Sequence, residues 1–116
     1  MLFQRFLNTI STVLPDRLMG DMDALTRLNP KKIYLENVRS VLGVSASTAQ
    51  RICDTGVRQG AFEKWVEVVC PNGAVAASAK VEESLPETVR CWTDDHEEVY
   101  LPTRDLRKTV FYRLNE

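Results

Sequence analysis

The stretch Ile33 to Gly60, IYLENVRSVLGVSASTAQRICDTGVRQG, decides how the rest of the chain is read, because it holds two helical patterns separated by a turn of small residues. In its first half Tyr34, Leu35, Val38, Val41 and Leu42 recur at helical spacing on one face. Asn29-Pro30 reads as the start of that helix: Asn accepts a hydrogen bond from a first-turn amide, and Pro at the first helical position lacks only a donor that has no partner there. Gly43 ends it, since a residue without a Cβ takes the left-handed conformation cheaply. Ser45 then caps a second helix. Its apolar Ala49, Ile52, Cys53 and Val57 share one face, with Ser47, Thr48, Gln50, Arg51, Asp54 and Arg58 on the others.

The run Val38 to Ile52, in which Leu42-Gly43-Val44-Ser45 is followed by Ser47-Thr48-Ala49-Gln50-Arg51, resembles the helix-turn-helix of bacterial transcription regulators. That resemblance implies a second helix lying in the major groove of duplex DNA. It implies phosphate or backbone contacts at Ser45, Ser47 and Thr48, and base contacts at Gln50 and Arg51. Arg51 is the foremost of these, because a guanidinium matches the paired acceptors of guanine. Arg58 and Lys64 would reach flanking phosphates. One position departs from the family: four residues before the turn glycine, where a small residue lets the two helices pack closely, this chain has Arg39. Either the helices sit differently, or Arg39 points outward and a neighbour packs in its place.

The chain has 116 residues, 44% of them hydrophobic, which suits one compact domain with a real core. Its formal net charge of -1 speaks against holding nucleic acid by charge alone. The charge is unevenly spread, however. Lys31, Lys32, Arg39, Arg51, Arg58 and Lys64 outnumber Glu36, Asp54 and Glu63 around the motif, whereas Glu82, Glu83, Glu87, Asp94, Asp95, Glu97 and Glu98 crowd a later region. Three cysteines do not make a secreted disulfide framework, and the sequence shows neither a signal peptide nor an apolar run of membrane length. A reducing cytoplasm is the expected home.

Upstream, Leu2, Phe3, Phe6, Leu7, Ile10, Val13 and Leu14 form an amphipathic helical stripe. It suits a third helix packed across the hairpin, a coiled-coil-like dimer seam, or a membrane-surface contact; its polar face has a single Arg to attract anionic lipid. Pro15-Asp16 closes it, and a short helix is expected over Asp21 to Leu28.

After Gly60 the period changes. Phe62 to Val69 reads as a strand, Cys70-Pro71-Asn72-Gly73 as a turn, and Ala74 to Val81 as a weaker strand. Glu82 to Glu87 is an acidic loop. Thr88 to Trp92 and Glu98 to Leu101 flank a hairpin turn at Thr93-Asp94-Asp95-His96, Pro102 to Asp105 is a break with room for one helical turn, and Thr109 to Leu114 is a last strand. Helices followed by strands give an α+β class: a helical region over 1–61 containing the helix-turn-helix at 34–60, then a β-extension of four or five antiparallel strands over 62–116, winged-helix-like and packed as one domain.

Cys70 and Cys91 each end a strand before a turn, as zinc-ribbon ligands do, and the pair of hairpins looks like a degenerate ribbon. The positions where a ribbon places its second ligands are Gly73 and Asp94. Cys70, Cys91 and His96 are thus an incomplete metal set, and no bound zinc or other cofactor is expected. Cys53 reads as core. Neither a phosphate-cradling glycine loop nor an HExxH motif is present, and Cys91 with His96 lacks a third catalytic partner, so an enzyme is not expected. The sequence reads as a homodimeric bacterial DNA-binding protein regulating transcription, without membrane association. The alternative is an adaptor that uses a winged-helix fold to bind a protein partner, through the acidic Glu82 to Glu98 region and the Leu2 to Leu14 stripe.

Overall fold

The computed structural model describes residues 28–115. The expected helices over Leu2 to Leu14 and Asp21 to Leu28 lie outside the described residues, apart from the buried Leu28 itself. Among the described residues two helices are followed by five strands. These are α1 (Leu35–Leu42), α2 (Ala46–Arg58), β1 (Phe62–Val69), β2 (Val75–Ala79), β3 (Thr88–Trp92), β4 (Glu98–Pro102) and β5 (Arg107–Leu114), with single 3-10 turns at Glu82–Ser84 and Thr103–Asp105. The strands make two antiparallel sheets, one in the order β2-β1-β5 and one pairing β3 with β4. The class is α+β, helices first. None of the described helices is long and apolar enough to cross a membrane.

The chain divides into two compact units, Met1–Glu63 with Phe111–Glu116, and Lys64–Val110, so that β1 and β5 are each shared between them. In the helical unit, Val38 and Leu42 of α1 and Ala49, Ile52 and Cys53 of α2 bury against Ile33, Phe62, Tyr112 and Leu114. Helix α1 begins at Leu35, later than Asn29-Pro30 suggests. Asn29 instead opens a turn, its carbonyl accepting from the Lys32 amide at 3.1 Å and its side chain from the Lys31 amide at 3.0 Å. The reason is long-range: both backbone groups of Ile33 pair with Tyr112, at 2.8 and 2.7 Å, which holds Ile33 extended and out of the helix. Tyr34 becomes the N-cap, with its amide donating to Asn37 Oδ1 at 2.9 Å.

Helix α2 ends as a Schellman motif. The Gly60 amide bonds the Val57 carbonyl and the Ala61 amide bonds the Gly56 carbonyl, with Gly60 at φ 75. Gly56 sits against Phe62, whose ring would lie 2.6 Å from any added Cβ. The next residues leave directly into β1.

The β unit holds a second, smaller cluster of Val68, Cys70, Val89 and Cys91, with Ala76, Ala77, Leu85, Val99, Leu101 and Leu106 packed on it. Cys70 and Cys91 are joined by a disulfide, contrary to the expectation of reduced thiols, with their Cα atoms 5.8 Å apart. Sequence spacing could not show that the turn after β1 and the middle of β3 meet. Thr103, buried, ties the β4–β5 connection to the acidic loop, its amide and hydroxyl donating to the carbonyls of Glu87 and Pro86.

Candidate nucleic-acid interface

The turn between α1 and α2 is built on two local choices. Gly43, at φ 65, takes the left-handed position, and its amide and that of Val44 both return to the Arg39 carbonyl. Val44 then packs its side chain toward the core while Ser45 caps α2. Ser45 Oγ accepts from the Thr48 amide at 3.2 Å and lies 3.1 Å from both the Ser47 and the Thr48 hydroxyls. Three hydroxyls therefore gather on the first turn of α2, where backbone amides lack helical partners and the helix dipole is positive.

Along α2 the exposed positions Ser47, Arg51, Asp54 and Arg58 fall at steps of three and four and form one stripe opposite the buried Ala49, Ile52 and Cys53. Arg51 is exposed and makes neither a hydrogen bond nor an ion pair with any described residue. Arg58 donates to Thr55 Oγ1 at 3.0 Å, back along its own helix. Gln50, the other base-reading candidate, is half-buried: its amide nitrogen donates to Asp54 Oδ1 at 2.9 Å and to the Tyr112 hydroxyl at 3.2 Å. Tyr112 is a neighbour of Gln50 that helical spacing in the motif could not reveal. Burial pushes its phenol pKa up, a shift the Gln50 hydrogen bond partly offsets.

Arg39, the departure from the family pattern, turns along α1 and pairs with Glu36 at 2.9 Å. Its Nε is buried without a partner, and close packing between the helices falls to Val38 and Leu42. Lys64 lies in the other unit, exposed on β1. The metal candidates do not assemble. Cys70 and Cys91 are consumed in the disulfide, His96 is exposed in the β3–β4 turn, and among the described residues no three potential ligands converge. Cys53 is buried, and desolvation, with Asp54 beside it, pushes its thiol pKa up to about 12.

Charge in the helical unit is predominantly basic, with Lys31, Lys32, Arg39, Arg51, Arg58 and Arg113 against Glu36, Asp54 and Glu63 among the described residues. The arrangement can approach a polyanion with hydroxyls and amides at one end of α2 and a guanidinium at its middle. No protein family, curated protein or solved structure matches the chain.

Proposed function

We propose that this chain binds duplex DNA through α2 and regulates transcription, with a homodimer presenting two copies of α2 about 34 Å apart, one turn of the duplex. The observation that supports it best is Arg51: an exposed guanidinium without a partner among the described residues, midway along a helix whose capped first turn offers Ser45, Ser47 and Thr48. In this reading the hydroxyls and amides of the first turn set register on phosphates, Arg51 reads a guanine edge, and Arg58 touches a flanking phosphate. Gln50 takes a supporting part, holding Asp54 away from the groove and fixing α2 against Tyr112. The chain order, two helices followed by the antiparallel pair β1 and β2, supports a winged-helix-like reading.

The test is fluorescence anisotropy of labelled duplex DNA across a salt series. Affinity should fall linearly on a log-log plot against salt. Arg51→Ala should weaken binding by about 1–3 kcal/mol while leaving the melting temperature in place. Absence of binding at about 50 mM salt, where non-specific phosphate contacts register, overturns the proposal.

A further inference from the structure

The β unit carries a second feature that α2 does not use. On β3 and β4 the residues alternate. Val89, Cys91, Val99 and Leu101 face the apolar cluster, while Arg90, Trp92, Glu98 and Tyr100 share the opposite, outward face. Arg90 stands opposite Tyr100 and Trp92 opposite Glu98. Trp92 is 47% exposed and Tyr100 66%, so the outward face of a two-stranded ribbon shows two aromatic rings to solvent. Neither ring belongs to the apolar cluster, which is made by the disulfide and the aliphatic residues.

Charge indicates what these rings meet. The turn joining the two strands holds Asp94, Asp95 and Glu97, all exposed and none ion-paired with a described residue, and Glu98 follows on the ring-bearing face itself. With these four carboxylates against the Arg90 guanidinium on the same face, a phosphate backbone would be repelled there, while a cation would be drawn in. The chain gives its own example of the chemistry, since the Arg90 guanidinium lies 5.7 Å from the centre of the Trp92 ring. The Glu98 carboxylate, neighbouring the Tyr100 hydroxyl, pushes its phenol pKa up, and Arg90 offsets part of that rise.

We propose that the outward face of β3 and β4 docks an extended, arginine- or lysine-rich segment of a partner protein, whose cationic side chains lie on Trp92 and Tyr100 while Asp94, Asp95, Glu97 and Glu98 neutralise them. The ribbon's short strands supply a flat platform of two rings, and the hairpin turn supplies the charge that selects basic over acidic segments. The site lies wholly within the β unit and needs nothing from α2, so it stands or falls separately from DNA binding.

The test follows the indole N–H signal of Trp92 by NMR in the full chain, with that of Trp65 as internal reference. An acetylated, amidated tri-arginine peptide should shift the Trp92 signal saturably. The tri-citrulline peptide, which keeps the shape and removes the charge, should bind at least about fivefold more weakly. Asp94→Asn with Asp95→Asn, and separately Tyr100→Ala, should each weaken the tri-arginine response by about two- to fivefold, while Arg51→Ala leaves it unchanged. Should the double Asn variant lose its fold, Glu98→Gln makes the same test of charge. Equal binding of the two peptides, a shift that never saturates, or a larger response to oligothymidine than to tri-arginine overturns the proposal.

Discussion

The helical unit and the β unit are stabilised by different means. The helical unit buries large side chains, with Ile33, Val38 and Ile52 fully enclosed and Phe62, Tyr112 and Leu114 closing around them. The β unit has a cluster centred on two valines and two cysteines, and a covalent bond does part of the work that apolar volume does in the helical unit. Their charges differ as well: the described part of the helical unit is predominantly basic, while Glu82, Glu83, Glu87, Asp94, Asp95, Glu97 and Glu98 make the β unit acidic. A near-neutral total thus conceals two units that differ in the sign of their predominant charge among the described residues. Whole-chain charge is a poor guide to binding when the chain divides in this way.

The sharpest way to break the contrast is to remove core volume from the helical unit. Ile52→Ala, at a position with no exposed surface, should destabilise by about 2–5 kcal/mol in denaturant unfolding followed by helical circular dichroism. A loss below about 1 kcal/mol would mean that α2 is held by something other than its buried face. Next in size is the disulfide. Cys70 and Cys91 are 21 residues apart, and cleaving a loop of that length should cost about 3 kcal/mol. After reduction with dithiothreitol, amide exchange should accelerate in β3 and β4 while the amides of α1 and α2 keep their protection. Equal acceleration in both would show a single cooperative body and erase the distinction.

The elements that could be read from sequence are those written locally. Gly43 and Ser45 mark the turn because a left-handed position and a capping oxygen are requirements of single residues. The strands at Phe62–Val69 and Thr88–Trp92, the strand from Glu98 to Leu101, which runs one residue further, to Pro102, and the turn at Cys70 to Gly73 announce themselves through β-rich runs and turn residues. What escaped is non-local. Ile33 pairs with Tyr112, Gln50 reaches Tyr112 across 62 residues, and Cys70 finds Cys91, and no periodicity encodes which distant segments will meet. The same gap hid the true start of α1, since Asn29-Pro30 has every local mark of a helix start and loses to a bridge with β5. For the candidate interface, exposure of Ser45, Ser47, Arg51 and Arg58 followed from helical spacing, whereas the engagement of Gln50 did not. Trp92 and Tyr100 were legible as strand residues, but their common outward face depends on the β3–β4 register.

A further difference concerns the cysteines themselves and shows as pH dependence. Cys53 of the helical unit is a buried free thiol with a pKa pushed up to about 12 from 9.0. Below pH 9 the thiol is protonated in both folded and unfolded chains, and its contribution to stability is fully present. Between 9 and about 12 the unfolded thiol ionises while the folded one stays neutral, so the unfolded state binds fewer protons and stability falls as pH rises. Tyr112, also raised by burial, adds to the fall in the alkaline range. Cys53→Ala should therefore flatten the slope of unfolding free energy against pH above 9, leaving only the tyrosine part. An unchanged slope would place the thiol in water. The disulfide-bonded cysteines of the β unit have no thiol to titrate, so this readout belongs to the helical unit.

The smallest expected effect refines the β unit alone. His96 occupies the left-handed region at φ 63, where the turn is closed by the His96 amide on the Thr93 carbonyl and the Thr93 amide on the Glu97 carbonyl, both at 2.9 Å. A residue with a Cβ is disfavoured there by about 1–2 kcal/mol, and glycine is not, although glycine also gains more freedom in the unfolded chain. The two terms leave a net stabilisation of about 0.5 kcal/mol for His96→Gly. A β-branched residue tolerates the position worst, so His96→Val should be destabilised instead. Opposite signs for the two variants, read as opposite shifts of the melting temperature, would show that backbone geometry sets the hairpin at this turn. A loss in both would mean that the imidazole itself holds the loop. Neither change alters the carboxylates of Asp94, Asp95, Glu97 and Glu98, so the tri-arginine response should survive His96→Gly unchanged, and its loss would place the selectivity in the histidine rather than in the acidic turn.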